Sequence, residues 1–144
     1  MRGLTKSLGN TRLDGRIAIV PTQVERVLVA RPNHRLGNLL MVTPLLQELE
    51  EVLPNAKVDI FVKGAIAPIV LKNYENVDRI ISLPKKPLKE LFKFLKGWAS
   101  IRTRHYDIVI NAVFNSSSGR ICAQTANATY RLLGEIDEIT SRFV

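Results

Sequence analysis

The feature that most constrains this chain is a rhythm, in which short apolar runs suited to strands alternate with stretches of helical period. Strand-like runs rich in Val, Ile and Leu occupy residues 26–31, 57–62, 77–83 and 107–112, and a fifth, weaker one spans 128–132. Between the first two, residues 38–53 switch to helical spacing. There Val42, Leu45, Leu46, Leu49, Val52 and Leu53 fall on one face and Gln47, Glu48, Glu50 and Glu51 on the other. Pro44 moves the start of the regular helix close to Thr43, a side chain able to cap it. Residues 65–71, 87–104 and 119–126 supply three further helices. Strands alternating with helices specify an α/β fold, here a Rossmann-like parallel sheet flanked by helices. Ligands of such sheets sit beyond the carboxyl ends of the strands, which singles out the loops 31–38, 63–66 and 113–119.

Several classes are excluded. Crossing a bilayer as a helix takes about 20 apolar residues, and the best run, 36–46, is about half that length. Arg2, Lys6, Arg12, Asp14 and Arg16 occupy the place where a secretory signal keeps its apolar segment. Cys122 is the single cysteine, so neither a disulfide nor a cysteine-based zinc site is available within one chain. These observations predict a cytoplasmic protein with one domain over 26–144, preceded by an extension over 1–25. The block Ile17-Ala18-Ile19-Val20 of that extension adds an edge strand or a short arm. The formal charge of +8 calls for an anionic partner: nucleic acid, a membrane surface or a phosphorylated substrate.

Three constellations carry the candidate chemistry. The first loop contributes Arg31, Asn33, His34, Arg35, Gly37 and Asn38 at the entry to a helix, where free backbone N–H groups favour an anion or an oxygen-rich substrate. Its plainer reading is a solvated turn, with Gly37 supplying a positive φ. The second, Ser116, Ser117, Ser118 and Arg120, brings hydroxyls, N–H groups and a guanidinium together, or else is a serine cap beside an exposed arginine. The third is basic: Lys85, Lys86, Lys89, Lys93, Lys96, Arg102 and Arg104 face one acid, Glu90, and so hold six of the eight net charges. In that segment Leu88, Leu91, Phe92, Leu95, Trp98, Ala99 and Arg102 share a stripe. With this stripe turned into the core and Phe94 left outside, the five lysines form a face able to rest on anionic headgroups without inserting. His105 and Cys122 read as structural, and Lys63-Gly64 as lining the cleft. Neither a three-glycine dinucleotide fingerprint nor a Walker loop occurs.

In order along the chain, Arg26-Val27-Leu28-Val29-Ala30-Arg31, Leu36-Gly37-Asn38 and Thr43-Pro44-Leu45-Leu46-Gln47-Glu48-Leu49 resemble the amino-terminal segment of family 9 glycosyltransferases, the heptosyltransferases of lipopolysaccharide core assembly. The resemblance continues through Pro54-Asn55-Ala56-Lys57-Val58-Asp59-Ile60, Asn76-Val77-Asp78-Arg79-Ile80-Ile81 and Tyr106-Asp107-Ile108-Val109-Ile110, covering roughly residues 26–134. It implies the acceptor-binding, amino-terminal half of a GT-B architecture, in which a carboxyl-terminal domain holds a nucleotide sugar such as ADP-heptose. Transfer in that family is metal-independent and inverting, with a carboxylate in the first loop as general base. The implied partners are a lipopolysaccharide core or lipid A-type acceptor, the anionic inner-membrane surface and the donor domain, with no nucleic acid.

Two departures qualify this. Where many relatives carry Gly-Asp, this chain has Gly37-Asn38, and an amide cannot accept the proton. Asn38 is left to orient a hydroxyl, and His34 becomes the substitute base. The chain is also about half as long as the architecture calls for, so by itself it is expected to be inactive. The rival readings are a non-catalytic module binding anionic glycolipid, and an α/β nucleic-acid binder suggested by charge alone.

Overall fold

A computed structural model describes residues 20–32, 35–112 and 117–132. Five strands, β1 (Arg26–Arg31), β2 (Lys57–Lys63), β3 (Val77–Leu83), β4 (Tyr106–Asn111) and β5 (Ala128–Leu132), form one sheet in the order β3-β2-β1-β4-β5. Every neighbouring pair is parallel, with Val27 beside Val58 on one side and beside Ile108 on the other. The helices are α1 (Leu36–Leu40), α2 (Thr43–Val52), α3 (Ala67–Leu71), α4 (Leu91–Thr103) and α5 (Ser117–Thr125). The expected Rossmann-like α/β arrangement is therefore present. The apolar block at 17–19 lies outside the described residues. Beside it, Pro21–Gln23 form a 3-10 turn that delivers Val24, 3% exposed, to the core.

Side-chain alternation along the strands divides the core into two layers. Val27 and Val29 of β1, with Val58, Ile60 and Val62 of β2, meet Leu39, Val42, Leu46, Leu49, Leu53 and Leu71 from the α1–α3 side. Leu28, Ala30, Phe61 and Val109 face the other way, onto Ile101, Cys122, Ala123 and Ala126 from α4 and α5. Central strands covered on both faces are apolar almost throughout, which is why β1 reads as an unbroken run and β2 is interrupted by Asp59 alone, whose carboxylate is satisfied by buried partners. The stretch predicted as one helix over 38–53 is two, broken at Met41–Val42. Thr43 does not cap α2. Val42 occupies the cap position, and the Thr43 hydroxyl donates to the Leu40 carbonyl at 2.7 Å. Of the predicted apolar face, Val52 is 49% exposed.

The third helix departs furthest from expectation. It begins at Leu91 rather than residue 87, because residues 87–90 form a turn in which the Lys86 carbonyl accepts the N–H groups of Lys89 and Glu90. Its orientation also differs from the predicted one: Trp98 turns inward as expected, but most of the predicted stripe does not. Gly97 and Ile101 are buried, with Phe94 and Trp98 packed beside them. The Trp98 ring lies edge-on to Phe61 at 5.1 Å and to Phe94 at 6.2 Å. Leu88, Leu91, Phe92 and Leu95 point outward instead. The reason is close approach: a Cβ on Gly97 would stand 2.6 Å from Leu83 Cδ2. The glycine thus lets α4 settle against β3, and no residue of the predicted stripe offers such a flat surface.

Candidate functional site

The strand order reverses between β1 and β4. From β1 the chain crosses outward to β2 and β3, and from β4 it proceeds the other way to β5. The segments leaving β1 and β4 therefore diverge onto opposite faces of the sheet, and the point of divergence is the usual ligand position of doubly wound sheets. The described parts of two of the three predicted loops, residues 31–32 with 35–38 and residues 117–119, flank this point. Sequence order alone does not reveal that they are neighbours.

Arg31, the last residue of β1, ties the two sides together. Its Nε donates to the Asn38 carbonyl at 3.1 Å, and its Nη1 donates to the Ala112 carbonyl just past β4. The Ala112 N–H in turn donates to the Ala30 carbonyl at 3.0 Å. Half-burial lowers the Arg31 pKa from its ordinary value. With two of its donor atoms engaged by backbone, Arg31 fastens the end of β1 to α1 and to the segment after β4.

Asn38 is half-buried in α1. Its carbonyl is held by Arg31, while its side-chain amide makes no hydrogen bond to the described residues. Arg35 and Gly37 are exposed. Gly37 does not have the positive φ expected of it; among the described glycines that conformation belongs to Gly64, φ 88°. A Cβ built on Gly37 meets none of the described residues within 4 Å, so neither backbone conformation nor packing against the described residues requires glycine there. On the β4 side, Ser117 and Ser118 are exposed in the first turn of α5, and Arg120 is half-buried with a partner of its own. Asn33, His34 and Ser116 lie outside the described residues. Lys63, at the end of β2, is half-buried beside Gly64, whose N–H donates to the Leu83 carbonyl at 2.8 Å.

One element of the site escaped sequence reasoning. Asn111 closes β4 with only 5% exposure, and Gly119 of α5 lies directly against it. A Cβ on Gly119 would fall 2.2 Å from Asn111 Oδ1. The pair sets how closely α5 approaches the end of β4 and hence where Ser117 and Ser118 stand. The available signal was an amide closing the apolar run Ile108–Ile110, followed by a glycine inside a helix.

The densest cluster of charge lies elsewhere, among residues from the opposite ends of the strands. Asp59, 2% exposed, accepts from Tyr106 Oη at 2.6 Å and from Arg79 Nε at 3.0 Å. Arg104 reaches Asp59 at 3.4 Å and Asp78 at 2.5 Å. Burial, reinforced by the Asp59 carboxylate, pushes the Tyr106 hydroxyl pKa well above its usual 10.0. Burial also pushes the Cys122 thiol up to about 12. Both groups are neutral parts of the core. His105 bonds Asn127 and Thr129 across the surface. Among the described residues no three His, Cys, Asp or Glu side chains gather to hold a metal ion, and no helix is long and apolar enough to cross a membrane.

No protein-family model matches the chain, and no curated protein does. Solved structures do. The chain is similar to a family 9 glycosyl transferase from Veillonella parvula DSM 2008, with 23% identity and a TM-score of 0.50 over 60% of this chain and 25% of that one. It also aligns with the E. coli heptosyltransferase WaaC with ADP, at 22% identity and a TM-score of 0.49 over 59% of this chain and 26% of that one. The match thus spans about a quarter of each structure. The likeness to the first is one of fold: the parallel Rossmann-like sheet is an arrangement that a family 9 glycosyl transferase also contains.

Proposed function

We propose that this chain is the acceptor-binding part of a glycosyltransferase that moves a heptose-type sugar from a nucleotide sugar to a lipopolysaccharide core, with inversion and without a metal. The observation that supports this most is the reversal of strand order between β1 and β4, where doubly wound sheets keep their ligand crevice. In this reading Arg31, Arg35, Gly37 and Asn38 line one side of that crevice, and Ser117, Ser118 and Arg120 the other. Its rim is cationic and rich in hydrogen-bond donors, which suits a phosphorylated sugar acceptor. The open space over Gly37 leaves room for a sugar ring against the backbone.

In this reading the acceptor hydroxyl attacks the anomeric carbon of the donor, the nucleoside diphosphate departs with the bonding electron pair, and a base removes the hydroxyl proton. The Asn38 amide orients that hydroxyl, and His34 in the same loop takes the proton. The nucleotide sugar, ADP-heptose or a close relative, is bound by a separate donor domain, so these 144 residues alone bind acceptor and do not transfer. The protein works at the cytoplasmic side of the inner membrane.

The test is an assay of the full-length gene product with ADP-heptose and lipopolysaccharide core in the presence of EDTA. Transfer with inversion is expected, with kcat lowered about 10²–10⁴-fold by His34→Ala. Asn38→Ala is expected to have a smaller effect. Acceptor binding without any transfer would favour the non-catalytic module, a reading that the amide at position 38 supports. Failure to bind acceptor would sink both.

A further inference from the structure

The outward face of α4 and the turn before it form a large apolar surface. Leu88 is 95% exposed, Leu91 54%, Phe92 82% and Leu95 57%. On a helix of 3.6 residues per turn Phe92 lies about half a turn around from the buried Ile101, and Leu91 and Leu95 stand one turn apart beside it. Lys93 and Lys96 border this strip along one flank, while Lys85, Lys86 and Lys89 lead into it, all five exposed. Lys93 pairs with Glu90 at 2.8 Å. Among the described residues no carboxylate pairs with Lys85, Lys86, Lys89 or Lys96.

Among the described residues nothing covers this strip, and α4 already seals the sheet with Phe94, Gly97, Trp98 and Ile101. We infer that α4 seats on a lipid bilayer bearing anionic headgroups, with Phe92 and the three leucines entering the acyl boundary and the lysines held at phosphate level. Charge chooses the occupant. Apolar side chains flanked by cations match a surface that is apolar below and anionic above, and lysine stems extend along such a boundary while their ammonium groups stay wet. A second copy is disfavoured, since joining two such strips would bring two clusters of like-charged lysines together. The inference goes beyond electrostatic resting on headgroups and does not depend on the sugar-transfer reading.

The experiment is co-sedimentation of the 144-residue chain with phosphatidylcholine vesicles, with and without phosphatidylglycerol. Emission of Trp98, the only tryptophan, reports folding, and light scattering reports oligomeric state. Binding is expected only with phosphatidylglycerol present and is expected to weaken as salt rises. It should fall about tenfold or more for Phe92→Ser and about fivefold for each of Lys86→Gln and Lys89→Gln, with Trp98 emission unchanged. Leu95→Ser serves as the second apolar variant if Phe92→Ser misfolds. Equal binding to both vesicle types, binding indifferent to the apolar variants, or a dimer that Phe92→Ser dissolves would each overturn the inference.

Discussion

Asp59 shows how much one buried side chain holds in this fold. Its carboxylate, on β2, gathers the Tyr106 hydroxyl of β4 and the guanidinium groups of Arg79 and Arg104. Asp59→Ala would strand those three donors at once, and a loss of about 3–5 kcal/mol is expected from urea unfolding. Tyr106 gives the same cluster a pH signature. Its folded pKa lies above the unfolded value near 10.0, so its contribution is complete below pH 10 and declines as pH rises beyond it. Cys122, raised to about 12, adds a similar decline that begins nearer pH 9. The urea midpoint should therefore fall with increasing alkalinity, and Tyr106→Phe should flatten the part above pH 10. Two glycines predict opposite outcomes. Gly119→Ala forces a Cβ to 2.2 Å from Asn111 Oδ1 and should lower the melting temperature. Gly37→Ala adds a methyl to open space in a helix and should be neutral or stabilising by up to about 1 kcal/mol.

At the scale of elements, all five strands were legible because each is a short run rich in Val, Ile and Leu or other β-formers bounded by turn residues, the central ones nearly continuous through burial on both faces. Each predicted boundary lies within one residue of the observed one. Helix α4 was misread for a physical reason. Its sequence carries two apolar stripes, and the one richer in large side chains, running from Leu88 through Leu95, invites burial. Contact with the sheet instead selects Phe94, Gly97, Trp98 and Ile101, where the missing Cβ admits Leu83. Hydrophobicity ranks stripes by transfer energy, whereas a helix lying on a sheet also needs a shape that fits. The two phenylalanines separate these criteria. Phe94→Ser removes an edge-on partner of Trp98 and should cost about 2–4 kcal/mol in chemical denaturation. Phe92→Ser, at 82% exposure, should leave the midpoint almost unchanged. Thr43 was misjudged similarly: its hydroxyl bonds backward to Leu40, a choice open to any threonine at a helix entry.

At the scale of the molecule, the order β3-β2-β1-β4-β5 brings two loops more than 70 residues apart in sequence to one crevice. That adjacency is a property of topology. The residues of each loop could be read in sequence, but their meeting could not, and neither could the Arg31 bridge from β1 to Ala112. The same topology puts the structural charge cluster and the candidate site at opposite ends of the sheet. Stability and binding should consequently respond to different substitutions. Calorimetric titration of the 144-residue chain with a deacylated, phosphorylated lipopolysaccharide core oligosaccharide tests the central claim most directly, since removing the acyl chains keeps α4 out of the result. The account predicts saturable binding that Gly37→Leu weakens at least about tenfold without lowering the unfolding midpoint. Absent binding, or binding that Gly37→Leu leaves untouched, would contradict it.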